Sequence, residues 1–145
     1  MDVRMNRRGT MLVELVLTLV IIAIVGALAI PSLRKTMDRM NLKQATHDVV
    51  LGLWAARNAA TMRGEYVSFV VDGPNARFRV ISGADTIFAR DLGARNGVNV
   101  DVTRDSITYA PSGIGYGAAN TRIVVSRGGK SDTITTSRMG RVSFP

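Results

Sequence analysis

A single carboxylate, Glu14, stands inside a run of otherwise uncharged apolar residues from Met11 to Leu33 (MLVELVLTLVIIAIVGALAIPSL). A carboxylate at the centre of a membrane helix costs about 2.5–3.5 kcal/mol, and less near an end, so an acid retained there marks a functional position that calls for a cation. The run supplies none. Other chemistry-bearing groups are sparse, for the 145 residues include no cysteine and one histidine, His47. A disulfide framework and a thiolate metal site are thereby excluded, and one imidazole is too few for a histidine metal cluster. No serine or carboxylate pair stands in a catalytic pattern around His47, which a helical repeat places as a surface or partly buried side chain. The residues point away from an enzyme, a metal or a cofactor and toward assembly or binding.

The element that must hold Glu14 is a helix. At about 1.5 Å per residue its 23 residues span roughly 34 Å, enough to cross a hydrocarbon core of about 30 Å. Arg4, Arg7 and Arg8 precede it against Asp2 alone, so the short head stays cytoplasmic and the long polar region from Arg34 onward is translocated. A secretory signal, for which Ala27–Ala29 imitate a cleavage site, fits less well. Its apolar region normally has about 7–15 uncharged residues, whereas Leu15–Ile30 has 16 and an acid just ahead.

After Pro31 the apolar pattern becomes helical and two-striped. Leu33, Met37, Met40, His47, Leu51 and Trp54 form one stripe, and Leu42, Val49, Leu53, Ala56 and Ala60 the other. The helix is predicted to run to Arg63 and stop at Gly64. Beyond it the period falls to two, predicting strands at Tyr66–Val71, Arg77–Ser82, Thr86–Arg90, Val98–Thr103, Ile107–Tyr109, Thr121–Ser126 and Thr133–Thr136. Turn residues separate them at 72–75, 83–85 and 127–130. A helix followed by antiparallel strands is an α+β fold, with the strands against one helix. The expected core is Val49, Leu53, Trp54 and Ala60 from the helix, with Phe69, Val71, Phe78, Val80, Ile87, Val100, Ile123 and Val125 from strands. Residues 110–120 (APSGIGYGAAN) read as a long flexible loop; their glycines, like Ser126–Lys130, lack the context of a phosphate-binding loop.

Arg7, Arg8, Gly9, Thr10, Met11, Leu12, Val13 and Glu14, followed by the apolar run and Pro31, resemble the prepilin leader of type IV pilins and type II secretion pseudopilins. The resemblance implies cleavage by a prepilin peptidase between Gly9 and Thr10, with N-methylation of Thr10 by the same enzyme. It divides the chain into a leader (1–9), a transmembrane and assembly helix (10–33) and a periplasmic pilin-like domain (34–145). Glu14 and Pro31 fall where pilins usually carry an acid and a proline. Cleavage would supply the missing cation as a new α-amino group at Thr10, met by Glu14 in its own or a neighbouring subunit, and desolvation in lipid would strengthen that pair. Gly26 and Pro31 are weak points where the helix can bend or melt.

Toward the C-terminus Tyr109–Gly113, Arg122–Ser126, Gly128–Gly129 and Ser137–Val142 resemble the GspH/FimT family of minor pseudopilins and minor pilins. The implied protein is a single-pass inner-membrane subunit. It would join other pilins in a type II secretion pseudopilus or type IV pilus, with an assembly platform and its ATPase as further partners. A second expectation is DNA capture. Residues 34–145 carry 16 basic and 9 acidic side chains, and 13 of the 16 are Arg, whose fork suits phosphate. Some FimT-like pilins use a Gly-Arg-x-Arg element; Gly140, Arg141 and Val142 match it and Ser143 does not. The candidate DNA-binding residues are Arg122, Arg127, Lys130, Arg138 and Arg141, set against Asp132 alone.

Overall fold

The computed structural model describes residues 7–117 and 119–145, with side chains from Met11 onward. Asp2 and Arg4 of the leader lie outside the described residues. The chain forms two compact units, Met1–Met37 and Asp38–Pro145. Helix α1, Arg7–Arg63, continues through Gly26 and Pro31 and ends where predicted. There Gly64 takes a φ of +66° and its N–H reaches the Ala60 carbonyl at 3.1 Å, a left-handed stop that glycine adopts without the Cβ penalty. Among the described residues of the first unit, from Met11 onward, the apolar side chains are exposed.

In the second unit the chain continues as β1 (Val67–Asp72), β2 (Arg77–Ser82), β3 (Asp85–Asp91), α2 (Leu92–Asn96), β4 (Asn99–Val102), β5 (Ser106–Tyr109), β6 (Gly115–Tyr116), β7 (Thr121–Arg127), β8 (Lys130–Thr136) and β9 (Val142–Ser143). Two antiparallel sheets result, ordered β3-β2-β1-β5-β6 and β4-β7-β8-β9. The sheets share one stretch of chain. Val100 in β4 pairs with Val125 of β7, and after the turn at Thr103–Asp105, Ile107 in β5 pairs with Phe69 of β1. The short helix α2 carries the chain from one sheet to the other. The Asp91 carboxylate caps it, accepting the Ala94 N–H at 2.8 Å, and Gly97 closes it at φ +59°. That hydrogen bond, with Arg77 2.6 Å away, holds the Asp91 carboxyl below its ordinary pKa.

Period-two burial delivers Val67, Phe69, Val71, Phe78, Val80, Ile107 and Tyr109 from one sheet, and Val100, Ile123, Val125 and Ile134 from the other. They meet Leu42, Ala45, Val49, Val50, Leu53, Ala56 and Ala60 on α1. Phe69 and Phe78 stack at 4.9 Å between ring centroids. Each fully buried Val, Leu or Phe contributes about 1.5–3 kcal/mol.

Three expectations are corrected. Trp54 is not in the core; it is 44% exposed. Both stripes satisfy the helical period, but only the one carrying Ala45, Gly52, Ala56 and Ala60 lets the sheet's aromatics approach the helix backbone. Ile87 is only half-buried, because the β2–β3 register slips between Val80 and Ile81 and lifts it out of line. The stretch 110–120 contains β6 and is pinned by Ala110 N–H to Ile114 O (2.9 Å) and Gly115 N–H to Arg138 O (2.8 Å), so it is not the free loop expected.

Candidate functional site

The leader and assembly positions lie on α1. The backbone is helical at Gly9 and Thr10, whose side chains lie outside the described residues. Glu14 is an exposed side chain of the first unit, and Pro31 is accommodated within the helix. Thr10 and Glu14 are four residues apart, the spacing at which helix side chains are neighbours.

The rejected stripe is itself a surface. In the second unit Met40 is 67% exposed, Leu51 42% and Trp54 44%, with exposed His47 on the same seven-four-three spacing. Large apolar groups in that register, uncovered by the protein's own sheets, have the character of a helix face that packs against a partner.

The five candidate DNA-binding residues separate into two groups. Arg127 and Lys130 pair across the β7–β8 turn, whereas Arg122 sits about 17 Å back along β7, opposite Thr135. Arg138 and Arg141 lie in the turn after β8, near the Arg122 end. Arg127 is engaged: its Nε donates to Asp38 Oδ1 at 2.7 Å and its guanidinium also meets the Asn96 carbonyl. The other four are exposed.

The Gly140–Arg141 pair proves to belong to a structural joint. The turn is closed by Ser137 N–H to Arg141 O and Gly140 N–H to Ser137 O, each 2.9 Å. Gly140 has φ +75°, and a Cβ there would lie 2.8 Å from the Gly113 carbonyl and 3.1 Å from Arg57 Nε. Arg57 donates to Gly140 O at 3.3 Å, joining α1 to both the β5–β6 and β8–β9 turns. Tyr109 lies buried in the adjacent sheet, and burial pushes its phenol pKa up against the opposing pull of Arg57. Sequence reading missed Arg57, which looks like one more polar residue on a helix. Gly140→Ala is expected to cost about 2 kcal/mol through left-handed strain plus the backbone clash. Urea unfolding measures it; a midpoint indistinguishable from wild type would show that the turn relaxes freely.

A long N-terminal helix whose C-terminal part packs on antiparallel sheets defines a pilin-like protein. A family model described as "Type II transport protein GspH" matches residues 45–140, and the chain belongs to that family. Among solved structures it is similar to the type IV minor pilin FimU of Pseudomonas aeruginosa (strain PAO1). The TM-score is 0.64 at 15% identity, covering 74% of this chain and 90% of that one. The minor pseudopilin EpsH of the Vibrio cholerae type 2 secretion system gives a TM-score of 0.57 at 11% identity, covering 72% and 96%. At these identities the likeness is one of fold. No curated protein matches the sequence. Minor pilins and pseudopilins are structural subunits that assemble with other pilins in a filament, and this chain shares their architecture.

Proposed function

We propose that the chain is an H-type minor pseudopilin of a type II secretion system, or the equivalent minor pilin of a type IV pilus. A prepilin peptidase removes residues 1–9 and methylates Thr10. Residues 10–33 then hold the subunit as a single pass in the inner membrane, N-terminus cytoplasmic, with residues 34–145 in the periplasm. An ATPase-driven platform lifts it into a short filament, where Glu14 meets an α-amino group and the helix packs among its neighbours. The observation that carries this reading is the match of residues 45–140 to the GspH family, and the apolar stripe of Met40, Leu51 and Trp54, uncovered by the protein's own sheets, offers a helix face for neighbouring subunits.

The test is Leu51→Glu with Trp54→Glu. Both side chains are already substantially exposed, so the thermal midpoint should stay within about 4 °C, since exposed substitutions shift stability by about 0.5 kcal/mol each. Recovery in sheared filaments should fall at least tenfold, a loss of about 1.4 kcal/mol at the contact. Undiminished recovery of the double variant would remove the stripe from assembly.

A further inference from the structure

The second unit carries a basic cleft that the assembly reading does not use. Arg39 and Lys43, one turn apart on α1, line it with Leu42, Lys130, Ser131 and Asp132, enclosing about 430 Å³. A neighbouring hollow shares Lys43 and Asp132 and adds His47 and the exposed ring of Phe144. The β7–β8 turn is locked against the helix. Arg127 Nε bonds Asp38 Oδ1 at 2.7 Å, and Gly128 (φ +57°) lies so near that a Cβ would sit 2.8 Å from Asp38 Oδ2. This lock sets Lys130 in the same cleft as Lys43. It also occupies the nearby acid, while Asp132 accepts a hydrogen bond from Thr46 Oγ1 at 3.2 Å. The ion pairs among the described residues are Arg63–Asp85, Arg77–Asp91 and Arg127–Asp38, so Arg39, Lys43 and Lys130 have no carboxylate partner there.

Their place in the sequence adds a second argument. The ten residues after Leu33 carry Arg34, Lys35, Arg39 and Lys43 against Asp38 alone. The flank on the translocated side is thus basic in its own right, and the long domain it opens crosses regardless of that charge. Arg39 follows Leu33 by six residues and Lys43 by ten, so the chain tethers the cleft within about 35 Å of the end of the apolar run even when fully extended.

We propose that Arg39, Lys43 and Lys130 form a docking surface for the anionic phospholipid headgroups of the bilayer that holds the helix. The attraction seats the domain on the membrane until assembly lifts it away. The inference rests on the reading of Met11–Leu33 as a membrane span. It has a clear consequence: the cleft is covered in the stored subunit and uncovered in the filament.

The experiment uses the full chain in nanodiscs of phosphatidylcholine alone or with a third phosphatidylglycerol, read by amide hydrogen exchange. The expected result is at least threefold slower exchange across residues 127–132 in the anionic discs. That protection should vanish at 0.5 M salt and in Lys43→Gln with Lys130→Gln. Equal exchange in the two disc types overturns the proposal, as does the same protection produced in neutral discs by inorganic phosphate or by a DNA oligonucleotide. Failure of the chain to co-elute with either disc would instead refute the membrane span itself. If the double variant also loses protection in β1 and β2, Lys130→Gln alone, on the exposed turn, serves in its place. Unaltered lipid-dependent protection in that variant counts against the cleft.

Discussion

Gly52→Leu should unfold the second unit at temperatures where wild type is folded. A Cβ at this position would stand 2.5 Å from Phe78 Cε2 and 2.7 Å from Phe69 Cε2, closer than real Cβ contacts come. Both rings are essentially fully buried and packed on each other, so neither can swing into solvent to make room. Overpacking typically costs about 1–3 kcal/mol, and a four-carbon side chain against two immobile rings belongs at or above the top of that range. For a domain of this size each kcal/mol shifts the thermal midpoint by about 4 °C, so a fall of about 12 °C or more is expected. Gly52→Ala should be milder, because the helix-propensity gain of about 1 kcal/mol offsets part of the clash. Adding Phe78→Ala to Gly52→Leu should recover stability relative to the sum of the single variants. Strict additivity would show that helix and rings are not in contact.

The second large effect concerns Glu14. Glu14→Val removes the one charge from the apolar run, so membrane insertion should be retained or improved. Under the proposed assembly it also leaves the α-amino group of Thr10 without its anion in a water-poor filament core. Breaking a desolvated pair by deleting one partner costs about 3–5 kcal/mol, equivalent to a loss of incorporation on the order of a hundredfold or more. Leader removal should proceed, since the change lies beyond the cut, and mass spectrometry for a terminus at Thr10 provides the control. Filaments containing the variant at wild-type abundance would eliminate the acid as a register device. Glu14→Asp should keep part of the function, because the charge survives on a shorter arm.

The same helix shows what a one-dimensional pattern carries. Each of the seven predicted strands exists within a few residues of its predicted bounds, and the helix stops at Gly64, since alternation, turn residues and glycine act through nearest-neighbour sterics. Helix α2 escaped because it has only five residues, too short for periodicity, and its cap Asp91 also reads as the end of a strand. β6 and β9, two residues each, are too short to show an alternation and exist through pairing with the strand just before each of them.

What the sequence determined by itself was therefore local or compositional: an apolar run long enough to span a bilayer, its single acid, the helix-then-strands order and the alternating core of the sheets. Only the tertiary structure decided which of two equally periodic helix stripes is buried. It turned Trp54 outward, because glycine and alanine let the sheet approach on one side and the bulk of Trp54 does not on the other. It also divided five basic residues between two ends of a sheet, assigned Gly140 to a turn braced by Arg57, and set Lys130 in one cleft with Arg39 and Lys43. The last two outcomes depend on contacts between residues more than eighty positions apart, and such contacts leave no mark on the spacing of neighbours along the chain.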